Sequence, residues 1–451
     1  MPGGFVVRKA RWSIPLLVVV LLAAGCSRSG GSSKGGTATT TAAKIGSGDF
    51  GDVKAVCGPG SAKGATALGV TDGEIRVGTM ADPGTSAQPG LDQELFDTAD
   101  AFVGWCNAAG GINGRKLSVD KWDAKLSEVA ARMIDACQVD FFLVGNGEAF
   151  DSAGVDPRTK CGLPEIAAYV VSKQAGRAPM SIMALPGSDH QSPMGGALRV
   201  LKEIDPSVVP HLGQVSSTLQ SVKDGGDRDR AAARILGYGS AYYDEAPIIP
   251  DTWRPYATNL QTKGVQVWMF ENAPFNLAAF YRALHDVNYT PKYGLFAANM
   301  YDDKLTKTAG PALTGNVLIT SSAVPFELAS THPATKQYID ILAKYVPGAT
   351  PRALGINAWT SWLLWAKSVK ECGSGVTRQC VFNHASATKG WTAGGLHAAS
   401  DPNNLSGSGN QCFLFIRATP TGFTYDAQMT RPNRDIYNCD PRNNFDLPGF
   451  P

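Results

Sequence analysis

The sequence lacks several features that mark common functional classes. Its 41 basic and 39 acidic residues nearly balance, whereas nucleic-acid binding needs a clustered cationic face. It contains no CxxC or HExxH motif, and its six histidines are scattered, which argues against a zinc site. The apolar run 14–24 has eleven residues, too few to cross a bilayer, which takes roughly 20. We therefore expect no nucleic-acid partner, no metal and no cofactor.

Residues 1–25 have the composition of a secretory signal. Three basic side chains and no acidic ones precede or accompany the short apolar run, as in signal peptides. The following Leu-Ala-Ala-Gly-Cys at 22–26 resembles a lipobox, which implies cleavage before Cys26 and lipid attachment to it. An ordinary signal peptide with a chance cysteine is the alternative. We expect a membrane anchor at Cys26, because more than one acyl chain on a single residue gives stable attachment.

The chain behind the signal divides by composition into a tether and a globular part. Residues 26–53 are rich in Gly, Ser, Thr and Ala, so we expect a flexible tether without a core. The whole chain is 43% hydrophobic and 18% charged, which is typical of globular proteins. A length of 451 residues exceeds one ordinary core and favours two lobes.

The stretch 74–124 predicts a strand, a helix and a second strand. Ile75 and Val77 alternate with polar residues, as in a strand. Gly110-Gly111 ends the helix, since glycine takes the left-handed conformation without steric cost. A parallel pair of strands needs such a crossover, so this is a βαβ unit. The apolar face of its helix consists of Leu95, Ala99, Phe102 and Cys106.

The run AAGGINGRKL at 108–117, placed after this unit, resembles type I periplasmic solute-binding proteins. The most similar class is the branched-chain amino-acid-binding one, which serves ABC importers. The resemblance covers roughly 70–426. It implies an α/β fold of two doubly wound, Rossmann-like lobes joined by a three-segment hinge.

The resemblance also implies where the chain crosses between the lobes. Turn residues suggest crossings near Pro186-Gly187, Ser321-Ser322 and 392–395, and we interpret 317–320 as a link back to the first lobe. We expect an irregular tail from Asp426 onward. The predicted lobes are 54–187 plus 322–392, and 188–321 plus 393–451.

Eight cysteines remain after Cys26, and eight allow 105 pairings. An oxidising compartment favours disulfides. Loop positions suggest Cys137–Cys161, Cys372–Cys380 and Cys412–Cys439, which leaves Cys57–Cys106.

Ligands of open α/β sheets bind beyond the carboxyl ends of the strands, so the cleft between two such lobes is the expected site. Each candidate also has a structural interpretation: Asp82 starts a turn, Phe150 and Tyr169 suit lobe packing, and Glu271 can simply be solvated. The tryptophans at 359, 362 and 365 have helical spacing and are interpreted as packing residues. The candidate ligand-binding residues are Asp82, Asn146, Glu148, Phe150, Tyr169, Ser172, Thr218, Glu271, Asn272, Asn299 and Tyr301.

The sequence departs from the family at two important positions. Amino-acid-binding members hold the ligand with a serine and a threonine, which align with Ala149 and Val171 here. Neither side chain can donate a hydrogen bond. Glu271 does match an acidic residue that faces the ligand's ammonium group in the family. The solute class therefore stays open: amino-acid-like, or another small polar organic molecule.

The leading hypothesis is a monomeric, lipid-anchored binding protein that delivers a small solute to an ABC permease, at the cell surface or in the periplasm. An extracytoplasmic sensor with the same fold is the second hypothesis, and a neighbouring kinase or cyclase would favour it. A secreted hydrolase is the third. We find no elbow serine and no strand-end histidine in the globular part, so we predict no enzyme activity.

Overall fold

The computed structural model describes residue 1 and residues 46–449. The predicted signal peptide beyond residue 1, Cys26 and the tether up to residue 45 lie outside these residues. Within the described part, no helix combines the length and the apolar character needed to cross a membrane.

The first sheet has five parallel strands in the order β2-β1-β3-β4-β5. The predicted βαβ unit is present, and its helix ends at Gly110, whose φ is 118°. The four apolar residues predicted for the helix face are all buried. The elements are β1 (Glu74–Ala81), α1 (Gln93–Ala109), β2 (Lys116–Asp123), α2 (Val129–Val139), β3 (Leu143–Val144), α3 (Val155–Cys161), β4 (Glu165–Ala167), α4 (Lys173–Gly176) and β5 (Ser181–Met183).

The second sheet repeats this order. Its parallel part runs β7-β6-β8-β9-β10. The segment interpreted as a link, 317–320, is instead strand β10, because all five of its residues are buried and it pairs with β9. The elements are α5 (Gly195–Ile204), β6 (Leu212–Ser217), α6 (Gln220–Ile235), β7 (Ser240–Ala246), α7 (Arg254–Thr262), β8 (Val267–Phe270), α8 (Pro274–Asp286), β9 (Tyr293–Phe296), α9 (Asp303–Ala309) and β10 (Val317–Ser321).

Three later helices return to the first lobe: α10 (Pro333–Tyr345), α11 (Ala353–Cys372) and α12 (Arg378–Ala387). Helix α11 packs on α1, and all three predicted packing tryptophans are buried. The ring of Phe102 lies 5.2 Å from that of Trp359 and 5.3 Å from that of Trp362. The first lobe therefore draws its core from two distant parts of the chain.

Three connections join the lobes, as the predicted fold class requires. They comprise residues 184–194, 322–332 and 388–411. They are hydrogen-bonded to one another: the Ala398 N–H donates to the Ser322 carbonyl at 2.9 Å, and the Ser400 hydroxyl donates to the Ala184 carbonyl at 3.1 Å. The predicted two-lobed α/β fold with a three-segment hinge is confirmed.

The last residues of the predicted tether pack against the globular part. Phe50 is buried in the first-lobe core, 5.2 Å from the Trp359 ring. The Gln337 side chain accepts from the Gly51 N–H at 2.9 Å and donates to the Asp49 carbonyl at 2.8 Å. A single aromatic side chain and two backbone bonds thus dock residues that the composition assigned to a linker.

The C-terminal part is more ordered than expected. The predicted hairpin is present as β11 (Cys412–Thr419) and β12 (Gly422–Tyr425), antiparallel to each other. Instead of an irregular tail, α13 (Ala427–Thr430) and β13 (Asn438–Cys439) follow, and β13 pairs with β11. Asp426 caps α13 by accepting from the Met429 N–H at 2.9 Å, a signal that composition alone does not show.

All four expected disulfides are present: Cys57–Cys106, Cys137–Cys161, Cys372–Cys380 and Cys412–Cys439. His384 lies close to Cys372 and Cys380, a grouping that could hold a metal. Both sulfurs are oxidised here, however, and a metal needs the thiolate. This group is therefore a crosslink between α11 and α12.

Candidate functional site

Each sheet has one topological switch point, where the strand order reverses. In the first sheet it lies between β1 and β3, and in the second between β6 and β8. Ligands of open α/β sheets bind beyond the carboxyl ends of strands at such points. The residues that follow these four strands are therefore the expected ligand contacts.

Asp82, directly after β1, ties three loops together. Its side chain is fully buried and accepts from the Leu126 N–H at 2.6 Å and the Ala149 N–H at 3.0 Å. Leu126 has a φ of +69°, which is costly for a residue with a branched side chain. Helix α2 begins after this turn, at Val129. Burial raises the pKa of Asp82, against the effect of its two N–H donors.

Asp151 does the same for the loop after β4. Its carboxylate accepts from the Val171 N–H at 2.7 Å and the Ser172 N–H at 3.1 Å. Ser172 in turn caps α4 by accepting from the Ala175 N–H at 3.1 Å. Burial raises the pKa of Asp151, and these donors oppose the rise. The backbone donors at Ala149 and Val171, the two positions predicted to correspond to the serine and threonine of amino-acid-binding proteins, are thus occupied by carboxylates of the protein itself.

A cavity of about 10 Å³ lies beside these loops, lined by Asn146, Glu148, Asp151, Arg158 and Glu165 among others. The Asn146 amide nitrogen donates to Glu165 at 3.2 Å and to Glu148 at 3.5 Å. The Arg158 guanidinium lies 3.3 Å from a Glu165 oxygen. Burial, together with the carboxylates of Glu165 and Asp151, raises the pKa of Glu148 well above its usual range.

The two aromatic candidates of the first lobe have structural contacts. The Tyr169 hydroxyl donates to Asp92 at 2.6 Å. Phe150 packs against the cluster that contains Met80 and Met133. Both side chains are half-buried, so each keeps a surface on which a solute could lie.

At the second switch point, Glu271 lies under α6. The Gln214 amide donates to Glu271 at 3.2 Å and to the Gly226 carbonyl at 2.8 Å. A Cβ on Gly226 would lie only 2.7 Å from the Ser216 hydroxyl and 2.8 Å from a Glu271 oxygen. Burial, followed by the nearby Asp229, raises the pKa of Glu271 well above its usual range.

Asp229 extends this polar cluster. The Ser192 hydroxyl donates to its carboxylate at 2.6 Å. Burial raises the pKa of Asp229 to about 6, although Ser192 and Arg228 favour its charged form. This acid, and Asp151, Arg158, Glu165 and Gln214 around the two switch points, were not among the sequence candidates. Four of them lie within helices or strands, and a search of strand ends does not find such residues. Asp151 directly follows Phe150, the last candidate in the loop after β3.

The remaining candidates of the second lobe do not form one group. Thr218 is exposed after β6. Asn272 and Asn299 belong to an amide network in which Asn299 donates to the Asn272 carbonyl at 3.0 Å. Tyr301 is buried in the second core, and its hydroxyl donates to Glu327 at 2.6 Å. The ligand contacts of the eleven candidates stay predictions.

The lobes also touch near these edges. Lys304, in α9, donates to the Gly90 carbonyl of the first lobe at 2.8 Å. Arg352 lies 3.4 Å from Glu94 on one side, and 3.0 and 2.8 Å from Asp302 and Asp303 on the other. These contacts bridge the two lobes with charged groups.

Two other features lie away from the switch points. A wider depression of about 380 Å³ is formed beside β7 by Pro247, Pro250 and Tyr256, among others. A Ser–His–Asp contact occurs in the first connection, with 3.1 Å between the Ser188 hydroxyl and His190 and 3.4 Å between His190 and Asp446. Ser188 also accepts from the His190 N–H, which is ordinary loop bonding.

The fold and its two switch points define a two-lobed binding protein, and comparison with known proteins agrees. Residues 74–422 match the family model of the periplasmic binding proteins, and the chain belongs to that family. None of the curated proteins matches the sequence.

Solved structures support the fold. The fatty acid ABC transporter substrate-binding protein from Thermomonospora curvata has a TM-score of 0.69 at 15% identity, covering 85% of this chain and 97% of that chain. A leucine-binding protein from Thermotoga maritima has a TM-score of 0.64 at 12% identity, covering 78% and 97%. An isoleucine-bound branched-chain amino acid binding protein from Streptococcus pneumoniae has 0.63 at 15% identity, covering 78% and 100%.

Proposed function

We propose that this protein is a lipid-anchored, extracytoplasmic substrate-binding protein that captures a small solute between its lobes and delivers it to an ABC transporter permease. The observation that carries the proposal is the family match over 74–422, together with two like sheets whose switch points lie at the edges where the lobes touch. In this role the protein performs no chemistry. Solute contacts with both lobes favour the closed arrangement, which the permease then recognises.

The solute class is a separate part of the proposal. The names of the similar structures refer to fatty acids, leucine and isoleucine. Similarity to them therefore does not identify the solute class of this protein. The Ala149 and Val171 side chains cannot donate, and their N–H groups are bonded to Asp82 and Asp151. This arrangement argues against the serine–threonine clamp of amino-acid-binding members. We keep an amino-acid-like or other small polar organic molecule as the class.

A thermal-shift screen of the purified full-length chain tests solute binding. Amino acids, amides, sugars, polyols, amines and fatty and aromatic acids would be added one at a time. A solute that binds the folded state raises the melting temperature by mass action. We expect a shift with at least one class. No shift with any class would contradict the binding role.

The anchor at Cys26 needs its own test, because it lies outside the described residues. Cells that express the chain would be fed a labelled fatty acid and fractionated. We expect the label and membrane association in the wild type and the loss of both in Cys26→Ala. Label in neither protein would leave an unanchored exported protein. Light scattering of the detergent-free soluble form would check the proposed monomer.

A further inference from the structure

Hydrogen-bond acceptors outnumber donors around the first switch point. Asp82 and Asp151 already occupy the backbone N–H groups of four loop residues. Glu148 and Glu165 add two more buried carboxylates. Arg158 is the cation lining this cavity; its Nη2 lies 3.3 Å from Glu165 and has no hydrogen-bond partner among the described residues. An anionic group placed here would meet several carboxylates and a single guanidinium whose charge is already opposed by Glu165.

Asn146 gives a second, independent indication. This residue is 2% exposed and lines the cavity. Its nitrogen donates to the two glutamates, while its Oδ1 has no hydrogen-bond partner among the described residues. A buried acceptor without a partner costs free energy. Oδ1 therefore adds an unfilled acceptor to a cavity already bordered by carboxylates.

The size of the cavity limits what can enter. About 10 Å³ corresponds to one water-sized group. A primary ammonium group has this size and carries three donors and no acceptor. Val170, which is half-buried in the strand-end loop after β4, forms part of the lining. A short chain attached to the group would leave past this loop.

We propose that the cavity receives the primary ammonium group of an amine solute, with Glu148 as its counter-ion and Asn146 Oδ1 and Asp151 as further acceptors. This inference rests on the proposed function and names its solute class. In amino-acid-binding members a serine and a threonine at this edge hold both the carboxylate and the ammonium group of the ligand; here carboxylates stand in place of that clamp and leave a site for the ammonium group alone.

The charge state of Glu148 makes the binding depend on pH. Five charged or titratable groups surround it: Asp82 after β1, Asp151 before α3, Arg158 in α3, Glu165 in β4 and Tyr169 after β4. Burial and the three acids raise the pKa of Glu148, so the free protein holds a proton there over a wider pH range. An ammonium group favours the carboxylate and displaces that proton. Affinity therefore rises with pH until the amine itself loses its charge.

A matched set of small probes tests the class. The full-length chain would be titrated with n-butylamine, butyrate and n-butanol, and with ammonium and potassium chloride, by calorimetry and thermal shift. We expect binding of butylamine, and none of butyrate or butanol. Glu148→Gln should weaken butylamine binding about 10- to 100-fold, because it removes a charge-assisted bond. Glu371→Gln, on the far end of α11, should not change it.

The other outcomes overturn the proposal in distinguishable ways. Binding of butyrate without butylamine would reverse the solute class and leave the transport role intact. Binding of the inorganic cations alone would make the cavity an ion site. Failure of every compound in the broad screen would contradict the binding role itself.

If Glu148→Gln does not fold, as circular dichroism would show, the wild type still gives an answer. Calorimetry at pH 5, 6, 7 and 8, in two buffers of different ionisation enthalpy at each pH, reports the protons released on butylamine binding. We expect net release at the lower pH values and less release as pH rises, because burial raises the pKa of Glu148. No release at any of these pH values would overturn the assignment to Glu148.

Discussion

The two switch points share a topology and differ in the use of their buried acids. In the first lobe, Asp82 and Asp151 accept backbone N–H groups and fix the strand-end loops. In the second lobe, the Glu271 carboxylate receives one side-chain bond from Gln214, and its Oε2 has no partner among the residues that the structure describes. Acids beside the two switch points therefore have a structural role in the first lobe and are weakly bonded in the second.

This difference shows that the topology places an acid but does not decide its role. The role is decided by whether neighbouring loops turn their N–H groups toward it. Asp82 meets two such groups because Leu126 adopts a positive φ and Ala149 lies in the loop between β3 and α3. Glu271 meets α6 near Gly226, where helix N–H groups are already used within the helix.

Matched amide substitutions test this comparison most strongly. Asp82→Asn keeps one oxygen for two N–H donors and places an NH2 group against the other donor. We expect a loss of about 3 kcal/mol in the free energy of unfolding. Glu271→Gln replaces a carboxyl group that has one side-chain bond and whose charged form is disfavoured by burial, so we expect no loss or a gain in the free energy of unfolding. Urea unfolding of both variants measures the difference, and equal losses would refute it.

The pH dependence of stability gives the next effect. The pKa of Asp229 is raised to about 6 in the folded protein by burial, above the ordinary value of about 3.9. The folded state then binds more protons than the unfolded state between these values, so Asp229 lowers stability as pH rises from about 4 to about 6. Between about pH 4 and about pH 6, the free energy of unfolding of the wild type should fall by about 3 kcal/mol relative to that of Asp229→Asn.

The measurement is urea unfolding of wild type and Asp229→Asn at pH 4, 5, 6 and 7. Asp251→Asn, at an exposed position, is the control and should follow the wild type. A constant difference between Asp229→Asn and wild type over this range would show that the carboxyl is not perturbed.

Adjacent glycines in α6 provide a finer test of the packing at the second switch point. A Cβ on Gly226 would lie 2.7–2.9 Å from Ser216, Glu271 and Gln214, whereas one on Gly225 would meet nothing nearer than 3.9 Å. We expect Gly225→Ala to raise stability by about 0.5–1 kcal/mol through helix propensity. We expect Gly226→Ala to lower it by about 1 kcal/mol, because overpacking outweighs that gain. Thermal unfolding of the two variants measures these changes. A gain in stability in both would mean that the polar cluster can accommodate a methyl group at position 226.

Much of the fold could be predicted from local signals. The alternation at Ile75 and Val77 and the glycines at 110–111 gave β1 and the end of α1. Strand β10 was misassigned, because a short apolar segment has no period of its own that separates a strand from a connection. The docking of Phe50 depends on Gln337 and Trp359, which are far along the chain, and no local pattern reports such a contact.

The site was less predictable for a related reason. The candidates Asp82, Asn146, Glu148 and Glu271, which were chosen because they follow strands, lie beside the switch points. Their partners could not be predicted from strand ends, because Arg158 lies on a helix and Glu165 within a strand, although both line the cavity. Nor could the sequence show that backbone N–H groups at Ala149 and Val171 are already bonded. Such bonding depends on loop conformation, not on residue type.

The smallest expected effect concerns the contact between the strand-end edges of the two lobes. Lys304→Met keeps the apolar stem and removes the ammonium group that donates to the Gly90 carbonyl. One partly exposed contact of this kind contributes about 0.5–1 kcal/mol, which corresponds to a two- to fivefold change in the balance between open and closed lobes. Lys307→Met, one turn further along α9, removes an exposed pair with Asp303 inside one lobe and is the control. Small-angle scattering should show a larger radius of gyration for Lys304→Met alone. Equal radii for both variants would mean that the lobes are held together by the hinge packing and not by the edges.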